Sequence, residues 1–180
     1  MADIDRLRQT LDYIKANPQN WDQSAWAALV TPTTRDADGD LVVCPFPDEG
    51  NGQQTICGTA YCFAGHVTLN AGYRPIFNKE QAEIVGDQAR TTAWQARNNF
   101  GEVVAIDSFA REWLDLTYEE ARHLFQGQNT LDVLEHMINN LASGDDIIEG
   151  LYSDPEDDRW RIGEPEPEKC DCCGQTMTTE

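Results

Sequence analysis

The residues best equipped for chemistry fall in one short run, Cys57-Gly58-Thr59-Ala60-Tyr61-Cys62-Phe63-Ala64-Gly65-His66. On a helix, Cys62 and His66 stand one turn apart on the same side. That spacing suits a shared metal ion, or an imidazole that lowers the thiol pKa. Cys57 falls at the expected helix start, where free amides and the helix dipole favour a thiolate. Cys57 and Cys62 lie about 140° apart on an ideal helix, at roughly 100° per residue, so both reach one zinc only if the helix begins after Cys57. Cys44 would complete four N or S ligands, the tetrahedral complement of zinc. The plainest alternative is packing, because free Cys behaves as a small hydrophobe and is among the most buried residue types. Packing, a zinc site and a reactive thiol assisted by His66 all stay open, with packing favoured.

A second constellation lies near the C-terminus, in Cys170-Asp171-Cys172-Cys173-Gly174. Cys170, Cys173 and Gly174 form a C-x-x-C-G knuckle, whose turn lets two sulfurs face one metal. It is half a site. The remaining ligands would come from Cys44, from the Cys57 region, from Cys172 or from a second copy of the chain. Zinc is the cofactor these sulfurs suit, and no other is indicated. Asp36-Ala37-Asp38-Gly39-Asp40 resembles a calcium loop, but its glycine comes too early and Pro47 stands where the bidentate Glu belongs. A papain-like reading of Cys57-Gly58 through Cys62 fails on spacing. His123 and His136 sit in expected helices as ordinary helical histidines. No nucleophile elbow, phosphate loop or dinucleotide fingerprint occurs.

These residues need elements to hold them. Ile4, Leu7, Leu11 and Ile14 predict a first helix, stopped by Asn17-Pro18. A second short helix is expected after Asn20, burying Trp21, Trp26, Ala27 and Leu29. Asp38-Gly39 suits a tight turn into a strand at Leu41-Val42-Val43, followed by a loop from Pro45 to Thr55. Cys57 to Ala71 reads as a buried helix, in which Ala64 and Gly65 allow close approach of another element. Residues 79–98 read as a polar helix and Val103 to Ile106 as a strand. A helix capped by Asp107 or Ser108 should carry Phe109, Trp113 and Leu114. Thr117 and Glu120 make a capping box, ahead of Ala121, Leu124 and Phe125. Asn129 or Thr130 opens a last helix through Leu131, Leu134, Ile138 and Leu141, closed by Gly144. The expected fold is mainly α, in the α+β sense: a compact helical domain with a small two- or three-stranded sheet or ribbon.

The chain has 180 residues, with 13 Lys+Arg against 32 Asp+Glu, a formal charge of −19. Residues 1–144 hold 20 acidic and 10 basic residues, net −10; residues 145–180 hold 12 and 3, net −9. The shift predicts a helical domain over 1–144, with a loop-rich insertion at 31–56, and an extended acidic tail over 145–180 with Pro155, Pro165 and Pro167. Such charge argues against direct nucleic-acid binding, which needs clustered Lys and Arg, and against anionic membranes. No run approaches the ~18 apolar residues of a spanning helix. The charged start, Met1 to Arg6, lacks a signal-peptide core. A bacterial cytoplasmic setting is expected, with the six Cys reduced or metal-bound.

Trp21-Asp22-Gln23-Ser24-Ala25-Trp26, the Cys57 to His66 run, Leu116-Thr117 through Leu124-Phe125, and Asn129-Thr130-Leu131 occur in an order that resembles a family of small acidic proteins from actinobacteria and their tailed phages. The resemblance spans most of residues 4–142, with C-G-T-x-x-C-x-A-G as its most specific part. It implies a genomic setting, phage or host, and no mechanism. The functional expectation is a non-enzymatic acidic interaction protein whose partner presents a basic surface, in one version as a nucleic-acid mimic. The alternatives are a zinc-stabilised accessory module, in which the tail joins the body or a second subunit, and a thiol enzyme using Cys57 or Cys62 with His66.

Overall fold

The structure is a computed structural model that describes residues 1–35, 41–43, 59–86 and 88–151. Helix α1 (Ile4–Ala16) opens on Asp3, whose carboxylate accepts the Arg6 amide at 3.1 Å, and it buries Leu7, Thr10, Leu11 and Ile14. Asn17 and Pro18 end it as the sequence predicts, and a 3-10 turn over Pro18–Asn20 follows.

The chain then departs from the expected helix. Ala27–Arg35 is strand β1. Asp22 Oδ1 takes both the amide (3.0 Å) and the hydroxyl (2.6 Å) of Ser24, which bends the chain into the strand. Val30, Thr31, Thr33 and Thr34 are β-branched, and Pro32 cannot donate within a helix. β2 (Leu41–Val43) pairs antiparallel with β1, Thr33 opposite Val43, at the position the turn signal predicts. Asp38-Gly39 itself and the Pro45 to Thr55 loop lie outside the described residues.

β3 (Thr59–Tyr61) pairs with the first half of β1, and helix α2 (Phe63–Asn70) follows. The expected single helix from Cys57 is therefore a strand followed by a shorter helix. β4 (Arg74–Pro75) leads to the segment expected as a polar helix. That segment instead forms β5 (Glu83–Val85), β6 (Gln88–Ala93) and β7 (Gln95–Arg97). β6 alternates exposed and buried strictly, with Ala89, Thr91 and Ala93 inward. Small inward side chains hide a period of two from any reading based on large hydrophobics. β8 (Val103–Ala105) is the expected strand, but Ile106 already belongs to helix α3 (Ile106–Trp113). The N-cap of α3 is Ala105, with no side-chain bond, in place of Asp107 or Ser108. α4 (Tyr118–Leu124) carries the complete Thr117–Glu120 capping box. α5 (Leu131–Ser143) starts at Thr130, whose hydroxyl accepts the Val133 amide, and ends at Gly144 with φ 78°.

The described strands form two antiparallel sheets. In the first, the order is β2-β1-β6-β5, with β3 sharing the β2 edge of β1; in the second, it is β4-β7-β8. The mainly α expectation is thus corrected. Five α-helices stand with eight strands among the described residues, an α+β fold with far more sheet than one small ribbon. α2 lies centrally, packed on α1 and α3, while α5 closes over α1. Phe63, Leu7, Ile14, Leu29, Ile106 and Leu134 are among the fully buried side chains of the core. Packing continues past the expected boundary at Gly144: Ile147 is buried, and Glu149 O accepts from His136 Nε2 (2.7 Å) and Asn140 Nδ2 (2.8 Å). No described helix is long and apolar enough to cross a membrane.

Candidate functional site

Of the cysteines and histidine proposed as ligands or nucleophiles, Cys62 and His66 fall within the described residues. Cys44, Cys57, Cys170, Cys172 and Cys173 lie outside them. The geometry around Cys62 and His66 is set by the junction of β3 and α2. Cys62 is the N-cap of α2, so the helix begins at Phe63, six residues beyond Cys57. Its Sγ accepts the Gly65 amide at 3.4 Å and faces the Trp26 carbonyl oxygen at 3.7 Å. Sulfur here serves as a Ser or Asp serves at most helix starts, covering a free first-turn amide.

Two effects compete at this thiol. The helix N-terminus favours the thiolate, and burial opposes it. Burial wins: the side chain is 1 % exposed, and desolvation pushes its pKa up to about 12. Cys62 is therefore a neutral S–H donor at physiological pH, the opposite of an activated nucleophile.

His66 follows one turn later, but its ring meets other partners. Its Nε2 lies 3.1 Å from the Asn20 carbonyl oxygen. A carbonyl only accepts, so Nε2 carries the proton. The ring lies between Tyr13 and Tyr61, with centroids 5.6 and 5.3 Å away. Nδ1 is buried with no partner among the described residues. Burial holds the pKa down to about 4, against the partial rescue of the Asn20 bond. Thiol and imidazole make no bond to each other, and each is spent on backbone groups. Among the described residues, no three His, Cys, Asp or Glu converge as metal ligands.

The functional groups that sequence reasoning passed over are amides. Gln23 is buried between three segments. Its Oε1 accepts the Phe63 amide at 2.9 Å and the Trp21 indole N–H at 3.3 Å. Its Nε2 donates to the carbonyls of Leu124 (3.2 Å) and Gln126 (3.1 Å). One side chain thus satisfies a free N–H at the start of α2 and free carbonyls at the end of α4. Asn129 adds Nδ2 bonds to His123 O (2.8 Å) and Leu124 O (3.1 Å). The signal available beforehand was proximity in the motif: Gln23 sits in the Trp21 to Trp26 run.

The backbone completes this node. Asp22 N–H donates to Tyr61 O and Cys62 N–H to Ala25 O, both at 3.0 Å. Gly65 lets the α2 backbone approach Trp26 so closely that an added Cβ would overlap the Trp26 carbonyl oxygen. The expected close approach at Gly65 is therefore present. The Trp21 to Trp26 run, the Tyr61 to His66 run and the Leu124 to Gly127 turn converge at one junction, where a Cβ added at Gly127 would come within 3.3 Å of Ser24 Cα. The remaining histidines are peripheral: His136 bonds the Glu149 carbonyl, and Arg122 Nη2 lies 3.5 Å from His123 Nε2. No protein-family model, curated protein or solved structure matches this chain.

Proposed function

We propose that the chain is an acidic interaction protein, of phage or host origin as its motif resemblance implies, that binds a protein presenting a basic surface. The observation that carries this reading is the charge of −19 on 180 residues. A field of that strength keeps a small protein soluble and steers it toward cations. The burial of Cys62 and His66 supports it from another side, because the motif's two described chemical groups are used to join β3, α2 and the Trp21 to Trp26 run. In its sharpest form, surface carboxylates stand in for a nucleic-acid backbone in the groove of a polymerase, nuclease or defence protein.

The test is salt dependence with an identified partner. A pull-down from bacterial lysate supplies candidates, and each is purified and titrated with the full chain. Binding should weaken steeply, by tenfold or more, as salt rises from about 50 to 200 mM, as it does for contacts that replace phosphates. Double-stranded DNA should compete if the groove is a nucleic-acid site. Salt-insensitive binding, or no partner with a basic surface, overturns the reading.

A further inference from the structure

Against this acidic background, one face carries the opposite character. In the β4-β7-β8 sheet, Arg74 pairs with Arg97, and Arg97 with Val103, so the three stand in a row across the strands. Gln95 and Ala105 form the next row. Residues directly opposite share a face, and all five are exposed. None of the five carries a carboxylate. The Arg97 side chain has no hydrogen-bond or ionic partner among the described residues. Arg74 Nη1 donates to the carbonyls of Leu69 (3.3 Å) and Tyr73 (3.0 Å), with no carboxylate partner. Arg6, Lys15, Arg90, Arg111 and Arg122, in contrast, each hold a carboxylate.

At the end of this face the β7–β8 turn presents Phe100, 97 % exposed. The turn is firmly built. Asn98 Oδ1 accepts the amides of Phe100 and Glu102, both at 3.0 Å. Asn98 N–H donates to Glu102 O and Gly101 N–H to Asn98 O, and Gly101 takes φ 86°. Glu102 Oε2 accepts from Asn98 Nδ2 (2.8 Å) and the Tyr73 hydroxyl (2.7 Å), which ties its carboxylate into the turn. A rigid turn that holds an aromatic ring in water beside unneutralised arginines has the composition of a binding hot spot, where aromatic and Arg side chains dominate. Rigidity lowers the entropy cost of docking.

We infer that the Arg74–Arg97–Val103 face with Phe100 at its tip is a docking site for an acidic peptide segment of a partner protein, whose carboxylates meet the arginines and whose apolar side chains cover Phe100. Charge complementarity selects this occupant. The overall −19 does not forbid it, because at physiological ionic strength fields fade over about 8 Å and the contact reads the local face. A nucleic acid fits less well, since long phosphate runs meet too few cations here. The proposal does not rest on the basic-partner reading above.

The experiment is amide-resolved NMR on the labelled full chain, titrated with a synthetic acidic peptide in which leucines alternate with aspartates and glutamates. Shifts should concentrate at Arg97, Phe100, Val103 and Ala105. Phe100→Ala and Arg97→Glu, both at exposed positions, should each weaken binding about tenfold or more while leaving the rest of the spectrum unchanged. No shifts at this face, or shifts that survive both substitutions, overturn the proposal. So does a response there to oligouridylate and not to the peptide, or concentration-dependent shifts without peptide, which would mean a second copy is the occupant. A lysine-rich peptide that perturbs other surfaces bears on the basic-partner reading alone.

Discussion

His66 couples the fold to pH because its ring is buried in the neutral form. Its folded pKa, about 4, lies below the unfolded value of 6.5. The unfolded chain therefore takes up a proton first as pH falls. Stability is complete above pH 6.5 and declines as pH drops toward 4, by about 3 kcal/mol in all. Surface carboxylates add their own pH dependence, so the clean measurement is a difference. Urea midpoints of wild type and His66→Gln, compared between about pH 7.5 and 4.5, should converge on acidification as wild type loses its advantage; parallel profiles would refute the assignment. Cys62 gives a second prediction. With its thiol buried and its pKa at about 12, peptide-resolved alkylation at pH 8 should leave it unmodified until denaturant is added. Rapid labelling of Cys62 in the folded chain would restore the reactive-thiol reading. Gln23 gives a third. Gln23→Met keeps the volume but orphans the Phe63 amide and the Trp21 indole N–H that Gln23 accepts, while the Leu124 and Gln126 carbonyls keep Asn129 as donor. A loss of about 2–4 kcal/mol in the urea midpoint analysis is expected, because unpaired buried groups cost about 1–3 kcal/mol each.

Among the elements, α2 and β1 depend on each other through Gly65. Alanine normally improves a helix interior by about 1 kcal/mol over glycine. At Gly65 the new Cβ would overlap the Trp26 carbonyl oxygen, so overpacking reverses the sign. Gly65→Ala should lower stability by about 2–3 kcal/mol. Gly127→Ala, where the nearest backbone atom is 3.3 Å away, should cost much less. Equal midpoints for the two variants would remove the close approach as a cause. The same junction explains what could be read in the sequence and what could not. α1, α4 and α5 were legible because their large apolar residues recur at helical spacing and their boundary signals are explicit: Asn17-Pro18, the Thr117–Glu120 box, Thr130 and Gly144. The sheet was not. β6 puts Ala89, Thr91 and Ala93 inward, too small to mark a period, and β1 begins with two alanines. Cys62 and His66 were found as a pair, but their helical spacing said nothing of direction. The strand Thr59–Tyr61 pairs with β1, moves the helix start to Cys62 and turns its sulfur onto Gly65 and Trp26.

For the molecule as a whole, the excess of 32 acidic over 13 basic residues sets a net repulsion that local pairs cannot cancel. The ion pairs among the described residues are solvated: Lys15–Glu135 at 2.8 Å and Arg122–Glu119 at 2.9 Å both lie at the surface. Such pairs contribute little, about 0–1 kcal/mol each, and salt weakens them. Salt also screens the like-charge repulsion, whose range shrinks from about 30 Å at 0.01 M to about 10 Å at 0.1 M. The two effects oppose each other, and the charge imbalance decides between them. Repulsion among many carboxylates should outweigh a few solvated pairs, so the melting temperature should rise as sodium chloride goes from about 0.01 to 0.15 M. Chloride and sulfate salts of equal ionic strength should act alike over this range, which separates screening from the stronger exclusion of sulfate at high concentration. A melting temperature that falls with salt would mean that the described ion pairs, and not the excess of carboxylates, govern the electrostatics of the fold. It would also weaken the reading of the chain as an anionic binding surface, since a field too weak to strain its own fold would steer a partner poorly.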